Sequence, residues 1–77
     1  MPTYKVFDAF RVEVRSRDHA PPHFHVVGPE VHALIKIKDL QVLRGTISRK
    51  AYVEVVAWAE AREDELMAEW RRLNERD

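Results

Sequence analysis

The chain has no cysteine, only two glycines and no long apolar run. The absence of cysteine excludes a disulfide framework and thiolate chemistry, and it suits a reducing cytoplasm. The two glycines do not stand in a Gly-rich phosphate loop. No apolar segment approaches the ~20 residues that cross a bilayer, and residues 1–10 lack the basic and apolar regions of a signal peptide. We therefore expect a cytoplasmic protein without a membrane association.

The chain also lacks net charge, because 13 Lys and Arg balance 13 Asp and Glu. Residues 1–50 nevertheless carry nine basic and five acidic residues, whereas residues 51–77 carry four basic and eight acidic ones. Such segregation is typical of an anion-facing surface on one element and an acidic, solvated or partner-facing surface on another. Chance, together with the ordinary solvation of a charged helix, is the alternative. The length fits a single domain, residues 1–77.

Hydrophobic residues alternate with a period of two in the first part of the chain. In residues 10–15 the apolar side chains point to one face and the charged ones to the other, as in a half-buried strand. Further segments with strand character are residues 4–7, 23–27, 31–38 and 42–47. Turn signals such as Gly28-Pro29 separate them. We predict a meander of three or four antiparallel strands.

From Ser48 onwards the hydrophobic period becomes 3.6, which predicts a helix over residues 49–74 with Ser48 as its N-cap. Its apolar stripe comprises Tyr52, Val55, Val56, Ala59, Leu66, Met67, Trp70 and Leu73. Arg62 and Glu63 interrupt the stripe, and a kink or a water-filled gap would lie there. The helix would be roughly 39 Å long against ~17–20 Å for a strand, so its last turns overhang the sheet or pack on a partner, such as a second copy in a homodimer. The predicted fold is α+β, an antiparallel β-meander with one long C-terminal helix packed on its apolar face.

Three of the four histidines lie within seven residues, at positions 19, 23 and 25, directly after Asp18. The two adjacent prolines of this run exclude a helix. His23 and His25 are two positions apart, so a strand places both imidazoles on one face. No other segment has as many groups that bind a metal or move a proton near neutral pH.

The following turn predicts how this face is arranged. If residues 28 and 29 close a two-residue turn, His25 lies directly opposite His32, with Cβ atoms about 4.5–5.5 Å apart. A three-residue turn would break this pairing. The basic side chains expected on the same outer face are Arg11, Arg15, Arg17, Lys36 and Lys38. The sequence therefore predicts an exposed sheet face that is rich in histidine and basic groups.

A metal site is the first function that fits such a face. His19, His23 and His25, with Asp18 beside them, offer nitrogen and oxygen ligands suited to zinc, nickel or iron. The sequence indicates no cofactor other than such a divalent ion. The alternative is that the histidines are partly exposed sheet residues without a ligand.

Acid–base catalysis is the second function. His23 and His25 would transfer protons and Asp18 would orient one of them. Arg15 and Arg17 would hold a phosphate, which would allow metal-independent cleavage of RNA through its 2′-hydroxyl. Binding without catalysis is the third function, either of RNA by the basic strands or of a protein by the acidic helix. Two further candidate binding residues are His19 and Lys36.

The histidine run resembles that of the small bacterial family named domain of unknown function 4160. The resemblance extends over nearly the whole chain, from the N-terminal strand to the helix with Trp58 and Trp70. The pattern of the family, as it stands here, comprises Asp18, His19, Pro21, Pro22, His23 and His25, without His32. Members of the family are similar to proteins whose genes lie beside genes of another small family. This arrangement is suggestive of toxin–antitoxin pairs. The resemblance therefore implies a small partner protein that is encoded nearby.

These observations together predict a small cytoplasmic bacterial protein of a toxin–antitoxin-like module. It would act on RNA or bind it through the basic histidine face. The alternative is a non-enzymatic protein-interaction or metal-binding module, whose Pro-Pro-His segment only shapes a loop. Whether the protein is an enzyme stays open at the level of the sequence.

Overall fold

The computed structural model describes residues 3–74, which form an antiparallel sheet followed by a helical segment. The strands are β1 (Thr3–Val6), β2 (Arg11–Glu13), β3 (His23–Gly28), β4 (Val31–Lys36) and β5 (Val42–Thr46). The helices are α1 (Arg49–Ala59) and α2 (Glu63–Asn74), joined by a 3₁₀ turn at Glu60–Arg62. Each strand pairs with its neighbours in sequence, in the order β1-β2-β3-β4-β5. The predicted α+β meander with a C-terminal helix is confirmed, with five strands in place of three or four.

One face of the sheet carries the hydrophobic core. Val12, Val26 and Ala33 are register neighbours across β2, β3 and β4, and all three are fully buried. Phe24 and Ile35 form the next buried pair on this face, because every second side chain of a strand points to the same side. The helices cover this side with four buried residues, Val55, Ala59, Leu66 and Trp70. Each large apolar side chain buried in this way contributes roughly 1.5–3 kcal/mol to folding.

The helical segment begins at the predicted N-cap, and a 3₁₀ turn interrupts it close to Arg62 and Glu63. Ser48 is the N-cap of α1, and its Oγ accepts a hydrogen bond from the backbone N–H of Ala51 at 3.1 Å. The 3₁₀ turn lies between Ala59 and Leu66, the nearest buried residues on either side, so this turn is not held against the sheet. Across residues 3–74 we find no helix with the length and apolar character needed to span a membrane.

The turn between β3 and β4 corrects one prediction. Its loop residues are 29 and 30, and not 28 and 29, because Gly28 pairs with Val31. The register is displaced by two residues, so His25 lies opposite Leu34 and not opposite His32. A displacement by two keeps every side chain on its face. The rings of His25 and His32 therefore remain diagonal neighbours, with centroids 6.4 Å apart.

Candidate functional site

Asp18, His23 and His25 converge on the outer face of the sheet, opposite the hydrophobic core. The two histidines are the first and third residues of β3, the central strand. Asp18 belongs to the connection between β2 and β3, residues 14–22. In this connection Arg17 has a left-handed backbone with φ of 61°, which is uncommon for a residue with a side chain. The connection turns back and brings Asp18 against both imidazoles.

The carboxylate of Asp18 contacts both rings through one oxygen atom. Its Oδ2 lies 3.0 Å from Nε2 of His25 and 3.3 Å from Nε2 of His23. The centroids of the two rings are 5.2 Å apart. Each of the three residues offers one donor atom, and these atoms all lie within 4.8 Å of one another. The three side chains therefore form a candidate group of metal ligands.

The two histidines are buried, which corrects the predicted exposed histidine face. The side chain of each histidine is 7% exposed, whereas that of Asp18 is 20% exposed. The alternation of apolar and polar residues assigns the two histidines to the outer face correctly. It does not show that the β2–β3 connection covers that face. Because they are buried, the imidazoles do not meet a large substrate such as RNA directly.

The hydrogen bonding of His23 determines which ring nitrogen carries the proton. Its Nδ1 lies 2.9 Å from the carbonyl oxygen of Pro21. A carbonyl oxygen can only accept, so Nδ1 is the donor, and Nε2 of the neutral ring holds a lone pair. This Nε2 is buried and has no hydrogen-bond partner among the described residues. It faces the carboxylate oxygen of Asp18, another acceptor, and the pair therefore needs a proton or a cation between its members.

The surroundings of His25 favour its neutral form. Burial lowers the pKa of His25, while the hydrogen bond to Asp18 acts in the opposite direction, and the charge of Arg15 lowers the pKa further. The net effect is a pKa below the ordinary value of 6.5. Since a carboxylate only accepts, the neutral ring of His25 donates its Nε2–H to Asp18, and ligation through Nε2 requires this proton to move to Nδ1.

Two of the three distances among the donor atoms fit a transition-metal ion. With bonds of about 2.0–2.1 Å, two ligands of a tetrahedral zinc ion lie roughly 3.3–3.4 Å apart. In the structure, Asp18 Oδ2 lies 3.0 and 3.3 Å from the two Nε2 atoms, which is close to this value. The Nδ1–H of His23 donates to a backbone carbonyl, which is the outer contact that commonly fixes a metal-binding histidine. Three protein donors leave a fourth position open for water or a ligand.

The other predicted site residues lie around this cluster and do not enter it. His19, a predicted metal ligand, is exposed and lies outside the converging group. Asp18 is the third member of this group in its place. Arg17 is exposed as well. Lys36 pairs in register with His23, but its Nζ approaches Asp39 at 3.7 Å.

Glu13 is a buried residue that was not among the predicted site residues. It is 5% exposed and pairs in register with His25. Its two carboxylate oxygens each bind one arginine, Arg11 at 2.7 Å and Arg15 at 2.7 Å. Burial raises the pKa of Glu13, but the hydrogen bonds and the charges of both arginines together outweigh burial and hold the pKa below its ordinary value. The alternation of charges in residues 11–15 was a visible signal for this ion-pair group.

Asn74 is a second residue that sequence reasoning missed. It lies at the end of α2, yet its side chain bonds the backbone of Arg15 and Asp18. A single asparagine after a hydrophobic stripe carries no signal of such a contact, because the partners are 56 and 59 residues away.

Comparison with known proteins gives one result. No curated protein and no solved structure matches the chain significantly. The family model described as "Domain of unknown function (DUF4160)" matches residues 10–71. The matched range contains Asp18, His23 and His25, but it ends before Asn74. Because the match covers most of the sequence, the chain belongs to the DUF4160 family.

Proposed function

We propose that the protein binds a divalent transition-metal ion through Asp18, His23 and His25. The observation that carries the proposal is the buried Nε2 atom of His23, which lies 3.3 Å from a carboxylate oxygen of Asp18 and has no hydrogen-bond partner among the described residues. A cation bound between these atoms would turn a repulsive contact into two ligand bonds. Two imidazoles and one carboxylate suit zinc or iron(II) and not magnesium, which prefers oxygen ligands.

The binding can be measured on tag-free protein by competition with a chromophoric zinc chelator at pH 7. We expect one equivalent of zinc per chain and no displacement by millimolar magnesium. His25→Ala should bind zinc more than ~100-fold more weakly, because a ligand is lost. His32→Ala is the matched control, since it removes an exposed histidine from the same face and should leave the affinity unchanged. Equal affinity of the two variants, or a folded wild-type chain that takes up no zinc, contradicts the proposal.

RNA binding, the function expected from the sequence, is a second candidate that one observation supports. Arg11 and Arg15 extend over the outer face with 45% and 38% of their side chains exposed, and Glu13 holds both in place. In this proposal Arg15 and Arg17 contact phosphates, and the buried imidazoles take no part in proton transfer.

Fluorescence anisotropy with a single-stranded RNA, at 50 and 200 mM salt, tests this second candidate. Binding should weaken as salt rises, because phosphate contacts release counterions. The double variant Arg15→Ala, Arg17→Ala should bind less tightly than wild type, whereas Arg71→Ala on α2 should not differ. Binding that is absent, or that is unaffected by the double variant, removes this candidate.

We also propose, from the family resemblance, that the protein acts with a small partner protein of a toxin–antitoxin-like module. Growth inhibition by one of the two genes, relieved by co-expression of the other, would support the module. A homodimer through the C-terminal helix is the alternative association, and sedimentation equilibrium of the isolated chain distinguishes it from a hetero-complex.

A further inference from the structure

The side chain of Asn74 joins the end of α2 to the connection that carries Asp18. Its Nδ2 donates to the carbonyl oxygen of Arg15 at 2.8 Å and to that of Trp70 at 3.0 Å. Its Oδ1 accepts from the backbone N–H of Asp18 at 2.7 Å. One amide group therefore bonds both ends of the turn from residue 15 to residue 18, and also its own helix.

Asn74 is held by the helix that carries it and by the turn that it contacts. Trp70, one turn earlier on α2, is 4% exposed and anchors the helix in the core. The turn at residues 15–18 passes through the left-handed backbone of Arg17, a conformation that few residues with a side chain adopt. Two of the backbone groups of this turn are satisfied by Asn74. The amide of Asn74 therefore stabilises the backbone conformation that presents the carboxylate of Asp18 to the imidazoles.

We propose that Asn74 is a positioning residue for the metal site, and that metal binding is coupled through it to the docking of the last turn of α2. This inference rests on the proposed metal-binding function. Without the amide of Asn74, the backbone at Asp18 is free to move away from His23 and His25. Conversely, an ion that holds Asp18 in place favours the docked helix end, because the coupling between two equilibria is reciprocal.

Zinc affinity of Asn74→Ala, measured with the same chelator, tests the positioning role. We expect affinity to fall 10- to 100-fold, the usual effect of losing an outer contact of a metal site. Arg71→Ala is the matched control, because it removes an exposed side chain from the last turns of the same helix and should leave the affinity unchanged. Circular dichroism and thermal unfolding in EDTA show whether Asn74→Ala is folded. Wild-type affinity in a folded Asn74→Ala contradicts the inference.

Amide hydrogen exchange of the wild-type chain tests the coupling without relying on a variant that has to fold. Saturating zinc should slow exchange at residues 71–74 and at Asp18 by about tenfold relative to EDTA. Zinc binding with unchanged exchange at the helix end overturns the coupling and leaves the metal-binding function intact. A wild-type chain that binds no zinc overturns the function and the coupling together, so the two failures are distinguishable.

Discussion

Strand β3 is buried on both faces, but the two faces are covered by different interactions. On the inner face, Phe24 and Val26 are fully buried beneath α1 and α2. On the outer face, His23 and His25 are 5% exposed and contact the carboxylate of Asp18. The inner face is stabilised by apolar area removed from water, whereas the outer face depends on a few directed polar contacts. Burial alone therefore does not distinguish a core residue from a candidate ligand.

What distinguishes the outer face is a buried ring nitrogen that lies beside a carboxylate and has no hydrogen-bond partner among the described residues. A buried polar atom without a partner costs about 1–3 kcal/mol, and Nε2 of His23 is such an atom in the part of the chain that the structure describes. In the core, the indole Nε1 of Trp70 is also buried without a partner within residues 3–74, but an indole N–H only donates and cannot bind a cation. A cation bound between Nε2 of His23 and the carboxylate of Asp18, as we propose, would satisfy this Nε2 atom.

The largest effect should come from the inner face. Phe24→Ala removes a fully buried aromatic side chain and should lower the free energy of unfolding by about 3–5 kcal/mol. Urea unfolding in EDTA measures this loss. Val53→Ala on the exposed side of α1 is the control and should change stability little. If His25→Ala in EDTA costs as much as Phe24→Ala, the two faces are not distinct in the way we describe.

A smaller effect is expected at the ion-pair group of the outer face. Glu13→Gln removes the charge that binds Arg11 and Arg15 and should cost about 1–3 kcal/mol, as for hydrogen bonds to charged groups. Urea unfolding at pH 7 checks this value. Glu54→Gln, on the exposed side of α1, serves as the matched control. A Glu13→Gln chain as stable as wild type would show that the ion pairs with the arginines do not contribute to the stability of the fold.

The smallest effect is the pH dependence of the same group. The pKa of Glu13 in the folded chain lies below its ordinary value of 4.5, so the unfolded chain binds more protons in acid. The stability that Glu13 provides should therefore be complete above pH 4.5 and be lost as the pH falls through the lowered pKa. The stability difference between wild type and Glu13→Gln, measured from pH 7 to pH 3, should shrink at the acid end. A difference that is constant, or that grows in acid, contradicts the assigned ion pairs.

The sequence predicts which strand residues share a face, but not which segment of the chain packs over the outer face. Alternation assigns His23 and His25 to the outer face, and the 3.6 period identifies Leu66 and Trp70 as core residues, because both patterns are local. The pairing of His25 with His32 was wrong, because the register depends on which two residues form the turn.

The cluster itself depends on contacts over a longer distance. Asp18 reaches the imidazoles only because the β2–β3 connection turns back at Arg17 and is bonded by Asn74. A single sequence contains no local signal for a contact between residue 18 and residue 74. The residue types of the site were therefore predictable, while its geometry and the burial of its histidines were not.

Imidazole nitrogen NMR of the two buried histidines, recorded before and after one equivalent of zinc, tests the metal site most directly. The structure predicts a protonated Nδ1 in His23, and on adding zinc a shift of Nε2 in both His23 and His25, with His32 unaffected. Nε2 resonances of His23 and His25 that do not respond to zinc would contradict the proposed site.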